Sequence, residues 1–479
     1  MKLFKHQQKG VKLSRKGPKA FFWDCGTGKT LTALNIIKEH KAKGFGPALV
    51  VCPLSIIDAA WIEDCKKFTP ELGIISLWSK KPQDRLQRLS VSADVFVCNY
   101  ETFKSLWPAI QQKRFKVLII DESSKMKCPT SQITRAILAM AGIKTRGKKG
   151  KTYPAVTPIP YRYVMSGTPA PNDKSEYWSQ CKFITGPGNF VFNDNFYAFR
   201  SRYFYSKPLG RTGVNLWFFK PDMETEFKDA IAQVANVVAK EDCLDLPDQV
   251  HEVRQVRLSD PERKAYNQLK NELVLRFKDE TVLASNALTE VMKLRQLSSG
   301  FCYGEEGTHV TGTSKLKELK ALLEEIGDHQ VIIWCNFKYE IQMLLDEFKG
   351  NSMALWSGTP DRDSAIKIFK DRGYQYLIAN PQSAAHGLTF TNCNYAVYFS
   401  MNYSYELQKQ SEDRIHRIGQ HNKCTYYYLL AEQSIDKMIY DAVRRKGELS
   451  RNVLYYLKNV DDKVDMSKQV LDYLRNEKT

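Results

Sequence analysis

No two of the eleven cysteines, scattered from Cys25 to Cys424, stand at CxxC spacing. That excludes a zinc ribbon and a disulfide framework, and it fits a reducing compartment. Long apolar runs are also missing. The strongest, Ala48 to Ile57, is short and broken by Pro53, so nothing is expected to span a membrane. The first residues, Met1-Lys2-Leu3-Phe4-Lys5, carry no signal-peptide apolar stretch. Acidic residues are in short supply, 53 against 71 lysines and arginines, which leaves a net charge of +18. Such an excess points to a polyanionic partner such as nucleic acid, or to a generally basic surface. The chain has 479 residues, 43% of them hydrophobic, enough for two or three domains with their own cores.

Between 20 and 130, short apolar runs alternate with helical stretches. Phe21-Phe22-Trp23 leads into a glycine loop, and Leu31 to Ile37 continues as a helix. Ala48 to Cys52, Asp94 to Cys98 and Lys116 to Ile120 have the composition of buried strands, and Tyr163-Val164-Met165 resumes one. This alternation predicts an α/β fold, a parallel sheet covered by helices. Residues 142–152 form a basic, glycine-rich loop, suited to DNA phosphates or simply solvated. Residues 180–300 are expected to be a helical connector and insertion, with a strand-like run from His251 to Leu258. A second α/β unit starts near Ser314, with strands at Gln330 to Cys335, Leu355, Tyr376 to Ala379 and Tyr395 to Phe399. Helices are expected over 405–420 and 434–446. The working division is 1–222, 223–300, 301–447 and a helical tail, 448–479.

Gly26, Gly28, Lys29 and Thr30 match the end of a phosphate-binding loop, GxxxxGK[ST], with Trp23 in place of the first glycine. Glycines let backbone N–H groups of the loop, Thr27 included, face phosphates. Lys29 would pair the terminal phosphates of ATP, and the Thr30 hydroxyl would bind Mg²⁺. The plain alternative is a glycine turn capping a helix. Asp121-Glu122 follows a strand. Asp121 could hold Mg²⁺ and Glu122 position the attacking water, or the pair could be a surface turn. Arg414 and Arg417 are three apart and share a helix face if their turn is helical. They suit transition-state phosphate charge, or a solvated basic helix end. His416, between them, is better suited to a hydrogen-bonded structural role than to acting as a base. Gln410 and Gln420 flank that turn. Gln7, upstream, could read the adenine edge.

Together these segments resemble the SNF2 family of superfamily 2 helicase-like ATPases, from about Leu3 to Val443. Leu3-x-x-x-Gln7-x-x-Gly10 is similar to the family's adenine-contacting motif, and Val50 to Ser55 with Trp61 to motif Ia. Asn99-Tyr100-Glu101 resembles the next DNA-side motif, and Ser166 to Asn172 motif III. Met292 to Gln296 resembles the approach to the second lobe. Gln410-x-x-Asp413-Arg414-x-His416-Arg417-Ile418-Gly419-Gln420 resembles motif VI, the most specific of the matches. Ser124 stands where the family usually has histidine. His386 to Thr391 occupies motif V and is closest to the annealing-helicase, fork-remodelling branch, in a compact form that suggests a phage or bacterial member.

The resemblance implies two tandem RecA-like lobes with a compact helical insertion between them, closing on ATP with Mg²⁺. It implies a DNA-dependent ATPase that moves along double-stranded or forked DNA with no requirement for strand separation, as a monomer in the cytoplasm, or in the nucleus of a eukaryote. DNA-facing candidates are Ser55, Tyr100, Lys125, Lys127, Trp356, Gly387 and Thr389. Trp356 could instead pack on the second lobe, and the lysines could be merely solvated. The alternatives are a strand-separating DNA or RNA helicase of superfamily 2, a DNA-binding scaffold with a decayed ATPase, and a P-loop ATPase unrelated to nucleic acid.

Overall fold

The computed structural model describes residues 3–145, 153–188, 191–192, 195–208, 215–238, 240, 243–278, 284–384 and 388–444. The middle of the basic loop (146–152), His386, Gly387 and the expected helical tail (448–479) lie outside those residues. The chain divides into two compact units, one of 1–207 with 215–245, the other of 208–214 with 246–479. Among the described residues no helix is long and apolar enough to cross a membrane.

The first unit is built on a parallel sheet. Its strands are β1 (Lys19–Trp23), β2 (Ala48–Cys52), β3 (Ile74–Ser76), β4 (Val95–Asn99), β5 (Val117–Asp121) and β6 (Tyr161–Met165). A hairpin-like pair, β7 (Phe204–Pro208) and β8 (Asn215–Phe219), stands apart from the sheet, and β9 (Ala235–Val238) completes it. The order is β3-β4-β2-β5-β6-β1-β9, and every pairing along it is parallel. Both faces are covered, which is why the strands are continuous apolar runs rather than alternating ones. Along β2, Leu49 and Val51 join one buried cluster while Ala48, Val50 and Cys52 join the other.

The second unit repeats the plan. β10 (Gln249–Val256) precedes a two-stranded pair, β11 (Phe301–Gly304) and β12 (Gly307–Val310). Then come β13 (Val331–Trp334), β14 (Ser352–Leu355), β15 (Tyr376–Ala379), β16 (Tyr395–Tyr398) and β17 (Cys424–Ala431). The six-stranded sheet has the order β10-β17-β16-β13-β15-β14, again parallel. Inside this unit Lys315 and Asp436 form a buried ion pair at 2.6 Å. Asp436 also accepts from Ser298 Oγ and the Ala431 N–H, so both of its oxygens are satisfied.

The stretch expected to be a helical connector, 180–300, does more than connect. It contributes β9 to the first sheet beside β1, and β10 to the edge of the second beside β17. Short strands such as β9 hide in sequence because their pairing partner, here β1 more than two hundred residues upstream, decides them. The helix expected over 405–420 ends at Glu412. Arg414 Nε takes the Gln410 carbonyl that a continuing helix would give to its backbone N–H, and that N–H turns to Ser411 O instead.

Each unit holds a buried or half-buried histidine whose pKa burial lowers. His40 Nε2 lies 2.7 Å from the Tyr163 hydroxyl, and its pKa falls from 6.5 to about 4. His251 Nδ1 lies 2.9 Å from the Tyr428 hydroxyl and also falls to about 4, first through burial and then through nearby positive groups. Each therefore binds a proton in the unfolded chain at a higher pH than in the folded one. Their stabilisation is present in full above pH 6.5 and is lost as pH drops toward 4. The urea midpoint should fall through that window. The fall should be shallower in His40→Gln and His251→Gln; an unchanged slope in both would contradict the assignment.

Candidate nucleotide site and arginine turn

Parallel strands present their carboxyl ends on one edge of the sheet, where α/β proteins bind ligands. β1, β6 and β5 are neighbours, so the segments after them meet. After β1 comes the glycine loop, after β6 the turn Ser166-Gly167-Thr168, and after β5 the pair Asp121-Glu122.

The loop is set by its glycines. Gly26 and Gly28 have φ of 84° and 81°, which side-chain-bearing residues rarely adopt. Gly28 caps the helix Lys29–Ala42, whose first N–H groups face the loop. A Cβ at Gly28 would lie 2.1 Å from Gln7 Nε2. Gln7 is buried, donates to Thr27 O and accepts from the Phe4 N–H, while His6 Nε2 lies 2.9 Å from the same Thr27 carbonyl. The glutamine expected at the adenine edge therefore also braces the loop. Lys29 Nζ donates to Trp23 O (2.9 Å) and Asp24 O (3.1 Å), and Thr30 is half-buried at the helix start. Trp23, the departure from the strict pattern, is fully buried and donates its indole N–H to Asn236 on β9. A strand-end tryptophan there anchors the loop to the edge of the sheet.

Asp121 is buried at the tip of β5. Burial raises its pKa, opposed by the Lys29 charge, by the Trp61 indole N–H at 3.0 Å and by the Glu122 backbone N–H. Glu122 holds φ 52° and ψ 55°, an uncommon conformation for a residue with a side chain. The Tyr100 hydroxyl pins that bend, donating to the carbonyls of Asp121 (2.7 Å) and Glu122 (3.1 Å). Tyr100 was expected to face DNA. It is buried, and its hydroxyl is spent on the carboxylate turn, so it positions rather than contacts. A hydroxyl and one buried carboxylate fit Mg²⁺, which keeps most of its shell as water and phosphate oxygens. Among the described residues no cluster of three or more His, Cys, Asp or Glu could hold a metal without such help.

The Ser166-Gly167-Thr168 turn packs on the loop. A Cβ at Gly167 would meet Cys25 Sγ at 2.9 Å and the Cys25 N at 3.2 Å. Gln180 ties the same turn to the carboxylates, accepting from Ser123 Oγ at 2.6 Å and donating to Pro169 O at 2.7 Å. No motif in the sequence singles out Gln180, because its importance lies only in reaching both turns. Ser124, in the family's histidine position, is buried.

In the second unit, Arg414 and Arg417 stand on a turn rather than on one helix face. They still converge. Arg414 Nη1 and Arg417 Nη1 both donate to Leu388 O, at 2.8 and 3.0 Å. Phe390 N–H returns a bond to Arg414 O, so the stretch after Gly387 is laced to the arginine turn. Gln420 fixes the turn from behind, donating to Cys393 O and Ile415 O. Gln410 is buried, and neither of its amide atoms has a hydrogen-bond partner among the described residues. His416 Nε2 lies 2.8 Å from Pro247 O, which can only accept, so His416 has the structural role expected of it.

The remaining DNA candidates scatter. Ser55 and Lys125 are exposed, and Thr389 is half-buried. Lys127 is half-buried and lies 3.7 Å from Glu176. Trp356 is partly buried against the second unit's core.

Comparison with known proteins gives two family matches. Residues 6–300 match the SNF2-related domain, and 314–419 the helicase conserved C-terminal domain. The chain is 24% identical over 460 residues to "Putative protein p41" of Acyrthosiphon pisum secondary endosymbiont phage 1, covering 90% of this chain and 93% of that one. It is 24% identical to a Caenorhabditis elegans protein named a homolog of SWI/SNF-related matrix-associated actin-dependent regulator of chromatin subfamily A-like protein 1, over 93% of this chain and 61% of that protein. It is 24% identical to human "DNA annealing helicase and endonuclease ZRANB3", over 99% of this chain and 42% of that protein. The chain thus spans nearly all of the phage protein but only part of the two animal ones.

Gly28→Ala places a methyl against Gln7 in a backbone conformation that costs a side-chain-bearing residue about 1–2 kcal/mol. Binding of a fluorescent ATP analogue should weaken by about tenfold or more. Wild-type affinity in that variant would show that the loop geometry does not hold phosphates.

Proposed function

The chain belongs to the SNF2-related family of helicase-like ATPases, and from that premise we propose that it is a motor coupling ATP hydrolysis to movement along, or remodelling of, double-stranded DNA. The observation that carries this reading is an adjacency. A glycine loop, a carboxylate pair and a Ser-Gly-Thr turn share one edge of one sheet, on neighbouring strands. The +18 charge supports a polyanion as the partner.

In this reading the N–H groups of Gly26, Thr27 and Gly28 cradle the phosphates and Lys29 pairs their terminal charge. Gln7 reads adenine while it braces the loop. Thr30 and Asp121 hold Mg²⁺, which supplies charge neutralisation on the phosphates when bound. Glu122, fixed by the Tyr100 bend, orients the attacking water. Arg414 and Arg417 meet the charge that develops on the transferred phosphoryl group; their planar, permanently charged forks suit that task. Ser55, Lys125 and Thr389 are the residues we assign to the DNA backbone. Contacts of that kind carry no sequence information, as a translocase requires. The similarity to a protein named as a DNA annealing helicase supports DNA as the substrate.

The test measures ATP turnover without nucleic acid and with single-stranded DNA, blunt duplex, forked duplex and RNA. Duplex or forked DNA should stimulate most. Preference for RNA or single strands, with unwinding of a tailed duplex, would favour a strand-separating helicase instead. Lys29→Ala should abolish turnover and leave DNA binding largely intact. Arg417→Ala should lower turnover by about a thousandfold while ATP still binds. Lost ATP binding with a normal rate per bound ATP would refute the arginine role.

A further inference from the structure

We propose that the β7–β8 strand pair of the first unit is a stacking platform for the unpaired bases of single-stranded DNA. It rests on DNA being the partner, and it adds a site that duplex translocation does not need. Among the described residues the two strands pair only with each other. Their inner side does the packing: Phe204 and Phe219 meet edge to face at 5.4 Å, and Phe219 meets Phe227 at 5.2 Å. The outer side keeps rings that the core does not use. Tyr205, 40% exposed, stacks on Phe218 with centroids 5.6 Å apart and planes 27° from parallel. Lys207 Nζ lies 5.6 and 5.7 Å from those two rings. Trp217, on the inner side, packs on the core under the Arg200 guanidinium, 4.1 Å away, and takes no part in this face.

Charge decides the occupant. Of the cations nearby, Arg202 pairs with Glu226 at 2.8 Å and Lys174 with Glu224, while Lys220 donates to the carbonyls of Ser201 and Arg202. Lys207, the cation that lies over the outer rings, makes no ion pair among the described residues. Exposed rings with an uncompensated cation over them match a strand that offers base faces and phosphates together. In a duplex each base face is already covered by its neighbours, so a flat ring on the protein gains a stacking partner only where bases are unpaired.

The experiment uses the full chain, a fluorescein-labelled oligothymidylate and a blunt duplex. Tyr205→Ala should weaken oligothymidylate binding about 5- to 150-fold, the range for loss of one stacked base. Duplex binding should stay within about twofold, as stacking does not act there. Tyr205→Phe keeps the ring and should bind as wild type. Lys207→Gln should weaken binding and reduce its salt dependence. DNA-free ATP turnover should be the same in all three, which also checks folding. Wild-type oligothymidylate binding by Tyr205→Ala would overturn the proposal and leave the surface to a protein partner. Equal losses on oligothymidylate and duplex would overturn it too. Failure of duplex-stimulated turnover with ring-dependent oligothymidylate binding intact would sink the translocase reading alone and leave this site standing.

Discussion

A parallel strand cannot return to its neighbour through a tight turn, so each connection must cross a face of the sheet. That constraint organises both units. Crossing segments cover the faces, which makes the strands uniformly apolar, and all carboxyl ends emerge on one edge. In the first unit, β5, β6 and β1 lie side by side, so segments separated by more than a hundred residues of chain become neighbours. The candidate site is a consequence of strand order.

Within that frame a few hydrogen bonds set the geometry. Gln7 and His6 hold the Thr27 carbonyl, Trp61 and the Glu122 N–H hold the Asp121 carboxylate, and Tyr100 holds the bend at Glu122. Gln180 joins the carboxylate turn to the turn after β6. Apart from the local Glu122 N–H, each is a side chain bonded to a group well separated from it in sequence. The site is therefore stiff because its supports come from four or five different elements. The arginine turn is organised in the same way, around the single carbonyl of Leu388.

Much of this was legible in the chain. Glycines at 26 and 28 announce a loop with left-handed residues, because only glycine adopts that conformation without penalty. Asp121-Glu122 after Val117 to Ile120 announces carboxylates at a strand tip. The strands of both units follow from uninterrupted apolar runs. Other features were not legible. β9 is short, and only its partner β1 makes it a strand; the run from His251 to Leu258 is strand-like, but its place beside β17 was not visible. Tyr100 could not be told from a surface tyrosine, because burial depends on what packs over it. The helix expected to carry both arginines stops early because the Arg414 side chain takes a backbone acceptor.

What the sequence determined by itself was the inventory and its order: a loop, a carboxylate pair, a Ser-Gly-Thr turn and an arginine pair, in two α/β units of basic overall charge. These are local properties, set by backbone freedom, side-chain chemistry and apolar patterning over a few residues. What only the tertiary structure decided was which groups meet. It placed Gln7 against Gly28, turned Tyr100 inward onto Glu122, drew Arg414 and Arg417 to one carbonyl, and left the outer rings of β7–β8 uncovered. Those outcomes depend on contacts between segments distant in sequence, and no local pattern encodes a partner that lies elsewhere in the chain.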